Sequence, residues 1–397
     1  MQTMKVLEIN SVCGRGSTGK IATDIAAVLQ DNGHECAIAY GRYEYGGSIP
    51  TIRIGNKLTV YMHGVKSFVS GKHGFGSKRA TELLIKKIND YKPDIIHLHN
   101  IHGYYINIEV LFKYIRENRI PVVWTLHDCW TFTGHCAYFT YNKCDKWKDG
   151  CQDCAYRKSY PKSIVDKSEW NYQRKKEIFT SLDNALIVTP SAWLANLVHN
   201  SFLQKYSIKV INNGIDLSVF NNKHNSFAEK YNIKEKIILG VADAWSQRKG
   251  LQQFVELSEV LPAEYKIVLV GTVDNQQLPS NIIAFGRTQT QKQLAEIYAS
   301  AYAFVNPTLE DNFPTVNLEA LACGTPVITF DTGGSPETVD KTCGIVTSEK
   351  SVQGLMEAIK SLETSGITSE ACMNRAKQFD RVKRVNDYLK LYKELLS

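Results

Sequence analysis

No stretch of this 397-residue chain approaches the ~20 consecutive apolar residues that a membrane span requires. Its N-terminal segment, MQTMKVLEINSVCGRG, has a short apolar run broken by Glu8 and Asn10. It lacks the longer apolar stretch and small-residue cleavage site of a signal peptide, so a soluble, cytoplasmic chain is expected. Internal repeats and low-complexity tracts are absent as well. Charge of one sign is in modest excess, with 47 Lys and Arg against 40 Asp and Glu and a net charge of +7. That balance suits polyanionic small ligands or an anionic membrane surface and is too small to argue for nucleic acid. With 43% hydrophobic and 22% charged residues and a mean hydropathy of −0.25, disorder is excluded.

What is present is an alternation. The length exceeds what one hydrophobic core organises, so two domains are expected. Strands are expected at Lys5–Ile9, Cys36–Tyr40, Ile95–Leu98, Val122–Leu126 and Leu186–Thr189 in the first half. The second half offers Ile237–Val241, Ile267–Val270, Ile282–Ala284, Ala303–Asn306 and Val327–Thr329. Amphipathic helical patterns fall between them, among them Ile21–Asn32, Thr81–Tyr91, Leu251–Val260, Thr290–Ser300 and Val352–Leu362. Apolar strands alternating with helices imply parallel sheets covered on both faces, and both halves show this independently. The fold class is therefore α/β, with two doubly wound, Rossmann-like domains. They are expected at 1–212 and 213–377, with Val210–Asn222 as the linker and a C-terminal helix, 378–397, returning to the first domain. Ligands of such folds bind beyond the carboxyl ends of the strands, so the loops there carry the search.

After the first strand, Gly14-Arg-Gly-Ser-Thr-Gly-Lys20 matches seven positions of a P-loop, but the eighth is Ile21, which has no hydroxyl for magnesium. Asp128 is the one acid on offer for a second magnesium ligand. Two uses of the loop remain: glycines that let backbone N–H groups approach a ligand where a helix starts at Ile21, or a tight turn alone. His97, His99 and His102 follow another strand, and no carboxylate nearby in the chain completes a ligand set, so packed or cleft-lining histidines are expected. His127-Asp128 ends the apolar strand VVWTL, where a polar pair has little packing reason to stand.

The segment Leu309–Ile328 carries more. Pro314 suits a helix start and Gly324 its stop. The first N–H groups, of Thr315 and Val316, are then available to a phosphate. Glu310 and Asp311 precede that start, and Glu319 on the helix is placed to accept hydrogen bonds from two ribose hydroxyls. Arg248-Lys249-Gly250 follows the first strand of this half, where cations neutralise a leaving diphosphate.

At these residues the chain resembles the retaining glycosyltransferases of family 4, which have the GT-B fold with two sheets facing across a cleft. The similarity runs through PDIIHLH, TLHD, VTPS (188–191), NNGID (212–216) and Arg-Lys-Gly (248–250). Its most specific element is Asp311 and Glu319 with seven residues between, followed by ALACGTPVI. The GSTG, HDCW, GHC and EDNFP segments resemble the bacterial capsule and exopolysaccharide branch. The resemblance implies a hexosyltransferase-type enzyme that uses a nucleotide-diphosphate sugar and a glycan or lipid-linked acceptor, with no cofactor needed for catalysis. His127 is implied beside the transferring sugar on the acceptor side, Lys249 and Arg248 at the diphosphate, Asp311 or Glu310 at the sugar, and Glu319 at the ribose. The Gly16-Ser17 turn is implied to approach the diphosphate. Three positions depart from the usual pattern: Asp311 replaces Glu, Ala244 stands where many members have Arg, and Ser17 replaces Gly. The competing readings are a GT-B nucleotide-sugar epimerase and a catalytically inactive sugar-nucleotide-binding or scaffolding subunit.

Two further expectations concern surfaces and metals. Lys57 to Lys92 holds eight Lys or Arg against Glu82 and Asp90, interleaved with Phe68, Val69, Phe75, Leu83, Leu84 and Ile85. This is either a solvated basic face or a peripheral contact with anionic lipid on the inner face of the membrane. Cys136, Cys144, Cys151 and Cys154 fall in a polar, loop-like segment ending in C-x2-C, which suggests a structural zinc site; reduced, packed cysteines are the alternative. Cys129 or His135 is a substitute for one ligand.

Overall fold

The computed structural model describes residues 3–223, 225–273 and 278–397. They form two compact units, one running up to Asn212 and including Arg384–Ser397, the other Asn213–Lys383. The first is built on seven parallel strands: β1 (Lys5–Val12), β2 (Glu35–Arg42), β3 (Thr51–Arg53), β4 (Ile95–Leu98), β5 (Val122–Thr125), β6 (Ala185–Thr189) and β7 (Ser207–Val210). Their order is β3-β2-β1-β4-β5-β6-β7. The second has six: β8 (Lys236–Ala244), β9 (Tyr265–Thr272), β10 (Ile282–Phe285), β11 (Ala303–Asn306), β12 (Val327–Phe330) and β13 (Gly344–Thr347). Here the order is β10-β9-β8-β11-β12-β13, again parallel.

Burial on both sheet faces explains why the central strands read as unbroken apolar runs. On one side of the first sheet, Val6, Ile38, Ile95 and Val123 pack with Ile25 and Leu29 of the Gly16–Asp31 helix and with Tyr388, Leu389 and Tyr392. On the other, Leu7, Ile9, Ile96 and Trp124 meet Leu84, Leu111, Phe112 and Phe179. The second sheet is likewise sandwiched between a cluster around Leu239, Phe304 and Leu321 and one around Ile238, Phe254 and Leu355.

The strand order reverses between β1 and β4 and between β8 and β11. At such switch points the loops leaving adjacent strands diverge to opposite faces and open a crevice. The site residues follow from this rule, because the glycine turn leaves β1, the histidine segment leaves β4, Arg248-Lys249 follow β8 and Leu309–Pro314 follow β11.

One local expectation is corrected. The first helix begins at Gly16 instead of Ile21. Gly19 is therefore a helical residue, whose carbonyl accepts from the Gly14 N–H at 3.0 Å, and it is buried instead of facing a ligand. The boundary between the two units falls after Asn212, inside the Val210–Asn222 segment, whose flanks are packed: Val210 ends β7, the Ile215 N–H donates to the Phe379 carbonyl at 2.8 Å, and Phe220 is buried in the second core. Among the described residues, no helix is long and apolar enough to cross a membrane.

Candidate functional site

In the first unit, Gly14 and Gly16 hold positive φ (both 64°) and turn the chain from β1 directly into the Gly16–Asp31 helix. That helix has no side-chain cap and no acidic residue in its first turn. Gly16 and Ser17 are exposed, and a Cβ at Gly16 would meet nothing within 4 Å. The first turn of this helix is thus uncapped and exposed, and such a turn suits an anion.

Beside this turn, the β1–β4 register sets Glu8 opposite His97. Glu8, fully buried, places one carboxylate oxygen 3.0 Å from His99 Nε2, and His99 Nδ1 lies 3.0 Å from His127 Nε2. The other carboxylate oxygen faces the Cys36 thiol at 3.6 Å. His97 is held by Thr125 at 2.8 Å and by the Tyr392 hydroxyl at 2.7 Å. Ligand atoms of Glu8, His97 and His99 lie within 4.8 Å of one another. A carboxylate therefore does stand beside the histidines, contrary to the expectation from the local sequence. It comes from another strand, and both ring nitrogens of His97 and of His99 already have protein partners, so the group reads as a closed hydrogen-bond network. Burial pushes Glu8 well above the ordinary carboxyl range, a rise that the Cys36 thiol opposes and Asp24 reinforces. It pushes His97 down to about 3 and His99 well down. His127 is partly exposed, yet its ring abuts this buried network. Desolvation there takes it down to about 4, against Asp128, which raises it, and with His102, which lowers it further.

Asp128 accepts from His102 Nε2 at 2.7 Å and from the Trp130 N–H at 2.9 Å. Burial works to raise its pKa, and these partners outweigh it, leaving a depressed value. His102 in turn reaches the Tyr160 hydroxyl at 3.1 Å. The pair His127-Asp128 is thus separated in role: one ring partly open, one carboxylate fixed.

In the second unit, Lys249 Nζ and Asp311 Oδ2 form an ion pair at 2.6 Å. Both side chains keep about a quarter of their surface in contact with solvent (26% and 20%), so a ligand can reach and exchange this pair. Arg248 Nη1 donates to the Glu310 carbonyl at 2.8 Å, and the Arg248 carbonyl accepts from the Leu309 N–H at 2.9 Å. Arg248 therefore ties the loop after β8 to the loop after β11. Glu310 is buried and Asp311 partly exposed, which makes Asp311 the more accessible carboxylate of the two. Gly333 crosses so close that a Cβ there would lie 1.9 Å from the Asp311 carbonyl oxygen, and its φ is +58°. Only glycine fits that position.

Pro314 precedes the Thr315–Ala322 helix, which has no side-chain cap, so the first-turn N–H groups of Thr315 and Val316 point out of the helix start. Asn306 at the end of β11 donates to Asn317 at 2.8 Å, and Asn317 donates to Thr338 at 2.9 Å, locking this helix to the strand. One turn on, Glu319 accepts from the buried Tyr298 hydroxyl at 3.1 Å. Burial raises the Glu319 carboxyl to about 7, and Tyr298 opposes the rise. Asp311, Lys249, Thr315, Val316 and Glu319 are thus gathered around one helix start.

Sequence reasoning missed Tyr298, Gly333 and the role of Glu8. The Gly333-Gly334 pair directly after an apolar strand was a readable signal, and so was a charged residue inside β1. Tyr298 offered none. Cys136, Cys144, Cys151 and Cys154 are all unbridged, the first buried and the others partly so. The segment that carries them has its own aromatic cluster, Phe132, Phe139 and Trp147, with ring centroids 5.0–6.2 Å apart. The segment expected to be polar and loop-like thus has a small aromatic core.

Comparisons with known proteins bear on the family and the fold. Residues 18–219 match the family model described as Glycosyltransferase Family 4, and residues 222–379 match the one described as Glycosyl transferases group 1. The chain is 26% identical over 276 residues to a putative colanic acid biosynthesis glycosyl transferase, WcaC, of Escherichia coli K12, covering 68% of this chain and 67% of that one. It is 29% identical over 222 residues to the N,N'-diacetylbacillosaminyl-diphospho-undecaprenol alpha-1,3-N-acetylgalactosaminyltransferase of Campylobacter jejuni, covering 51% and 58%. Among solved structures, a sucrose-phosphate synthase from Thermosynechococcus elongatus has a TM-score of 0.73 at 16% identity, covering 99% of both chains. Anabaena HepE in complex with UDP-glucose has a TM-score of 0.68 at 15% identity, covering 98% and 100%. With a family model spanning half its length and both units folded as parallel α/β sheets, the chain belongs to glycosyltransferase family 4 and is a hexosyltransferase-type enzyme of the GT-B fold.

Proposed function

We propose that this enzyme moves a hexose, with retention of anomeric configuration, from a nucleoside-diphosphate sugar to an acceptor hydroxyl in capsular, exopolysaccharide or lipid-linked glycan assembly. The observation that carries the reading is the Lys249–Asp311 pair at the start of an uncapped helix that also bears Glu319. A diphosphate competes with Asp311 for Lys249 and takes the N–H groups of Thr315 and Val316, which releases the Asp311 carboxylate for sugar hydroxyls. Glu319 accepts from the ribose, and Arg248 braces the loop that presents Asp311. The start of the Gly16–Asp31 helix offers a second anion site, and His127 serves the acceptor chemistry. No covalent nucleophile is evident, so attack from the face that the diphosphate leaves, with a phosphate oxygen taking the acceptor proton, accounts for retention without a catalytic metal.

The relatives, one named for colanic acid biosynthesis and one for a diphospho-undecaprenol substrate, support a glycan or lipid-linked acceptor. The UDP-glucose bound by HepE supports a nucleotide-sugar donor. A cytoplasmic location, with peripheral contact on the inner membrane face, goes with such an acceptor. The test is a thermal-shift panel of nucleotide sugars, since a ligand at a hundred times its dissociation constant adds about 2.7 kcal/mol. Transfer from the stabilising donor is then followed by NMR of the product anomer. An inverted product would overturn retention, donor turnover without acceptor would favour an epimerase, and binding without transfer to any acceptor would favour an inactive subunit.

A further inference from the structure

Residues 133–167, between the short 3-10 turn Trp130–Phe132 and the Ser168–Phe179 helix, contain neither helix nor strand. Unstructured segments beyond about 15 residues are uncommon inside compact domains and are normally functional or fastened by something else. Beside the Phe132, Phe139 and Trp147 cluster, a second set of contacts converges on sulfur. The Cys136 and Cys154 thiols are hydrogen-bonded to each other, and Cys151 and Cys144 are the next acidic groups around Cys136. Backbone N–H groups are already aimed at two of these sulfurs: Gly134 donates to Cys151 Sγ at 3.1 Å, and Tyr156 donates to Cys154. Lys146 Nζ clasps the Cys151–Cys154 turn through the carbonyls of Gln152 and Asp153 at 2.9 and 3.1 Å. Asp166 accepts from the Cys154 N–H at 2.6 Å and from the Ser168 N–H at 2.8 Å, tying the same turn to the following helix.

A second observation stands apart from the thiols. Lys175, 1% exposed, donates to the Trp130 carbonyl and lies 3.9 Å over the Trp130 ring. Its acidic neighbours are, in order, Cys151, Cys136 and Asp128. Asp128 is already engaged by His102 and the Trp130 N–H. A buried ammonium is costly, and with Asp128 shared among other donors, further negative charge on the neighbouring sulfurs would stabilise it.

We propose that Cys136, Cys144, Cys151 and Cys154 bind one structural zinc ion as a tetrathiolate, with Lys175 as the buried cation that offsets one of the two negative charges the site retains. Zinc favours four soft ligands in a tetrahedron with Zn–S of about 2.3 Å, and a closed four-cysteine set leaves no position for catalytic water. Cys136 and Cys154 are paired, but no three of the four sulfurs lie within 4.8 Å of one another in this structure. Zinc binding therefore requires the partly exposed Cys144 and Cys151 to turn toward that pair. Four thiols lose their protons on binding, and two of the four resulting charges are neutralised by the metal. The ion pins the segment that directly follows His127-Asp128, giving it a fixed shape next to the polar end of β5.

The test uses the full chain, purified under reducing conditions without a metal-affinity tag and with zinc in the growth medium. The expected result is about one zinc per chain, and exchange with cobalt gives the intense sulfur-to-metal absorption and visible bands of a tetrahedral thiolate site. Cys151→Ser/Cys154→Ser loses the zinc, whereas Cys343→Ser, in the second unit, keeps it. The Phe132, Phe139 and Trp147 cluster keeps the segment packed without metal, so the double variant is expected to fold. If it does not, the cobalt spectrum of the wild-type protein decides by itself. Zinc well below one per chain, a Cys136–Cys154 disulfide in the reduced preparation, or iron with acid-labile sulfide would each overturn the proposal.

Discussion

His99 Nδ1 lies 3.0 Å from His127 Nε2, so the tautomer of one ring dictates that of the other. The opposite nitrogen of His99 faces Glu8, which makes a buried carboxyl the source of the order. Burial pushes Glu8 well up, toward the neutral acid. A neutral Glu8 donates to His99 Nε2, His99 then donates to His127 Nε2, and His127 is left with a proton on Nδ1. An ionised Glu8 would reverse both bonds and leave Nδ1 as an acceptor. Glu8→Gln preserves a donor at this point and should hold kcat within a few-fold, whereas Glu8→Leu should lower kcat by on the order of a hundredfold with nucleotide affinity unchanged. Equal losses in both variants would mean that the carboxylate form is the working one.

Lys249 and Asp311 neutralise each other in the absence of donor, and this predicts opposite behaviour on substitution. Lys249→Ala removes a charge-assisted contact worth about 1.5–3 kcal/mol and should weaken nucleoside-diphosphate binding by roughly ten- to a hundredfold. Asp311→Ala frees the lysine, so the bare nucleotide should bind at least as tightly as to wild type while transfer falls. Calorimetry with the nucleotide, set beside turnover of the full donor, separates the two. Weaker nucleotide binding in Asp311→Ala would remove the exchange argument.

Glu319 gives the site a pH dependence whose sign is fixed. Its carboxyl rises from an ordinary 4.5 to about 7 through burial, against the lowering effect of Tyr298. An acid raised in this way adds folding stability below its unfolded value, and that contribution fades as pH climbs through about 7. Binding runs the other way, because only the ionised form accepts from both ribose hydroxyls. Nucleotide affinity should increase by roughly tenfold between about pH 6 and pH 8, and a proton should be released on binding. Glu319→Gln should bind more weakly and show a flat profile. A slope that survives in that variant would place the titrating group elsewhere.

The central strands were readable because they are buried on both faces, while β3, β7 and β13 were not. All three are sheet edges, and β7, Ser-Ile-Lys-Val, is largely exposed, so no apolar run marks them. The grouping of Lys249, Asp311 and Glu319 was readable because these residues sit in short motifs at strand and helix ends. What the chain order hid was partnership. Glu8 looked like an interruption of an apolar strand until β1 and β4 were set side by side. The early helix start at Gly16 was hidden for another reason: glycine argues against helix, yet the turn at Gly14 and the packing of Gly19 decide in its favour.

The basic segment resolves into two helices, Lys57–Ser70 and Lys78–Tyr91, the first with an unusual surface. Leu58, Tyr61, Met62, Val65, Phe68 and Val69 are all exposed, Leu58 and Tyr61 by about two-thirds (65% and 67%). Their spacing of three and four residues puts them on one stripe, while His63 and Ser67 face inward. The sequence pattern had pointed to Phe68 and Val69 but also to Leu84, which is buried. Lys57, Lys66, Lys86 and Lys87 are exposed nearby in the chain. An apolar stripe with flanking lysines lies well in an anionic lipid surface, each lysine near it adding about 1 kcal/mol, or roughly fivefold in affinity. The protein should therefore float with vesicles containing phosphatidylglycerol and stay behind with neutral phosphatidylcholine ones. Lys57→Glu/Lys66→Glu should cut binding most at low salt, where screening is weakest. Leu58→Glu/Phe68→Glu should cut it at all salt concentrations, with transfer to a short water-soluble acceptor unchanged. Failure to float at low salt would leave the stripe as a contact for something other than lipid.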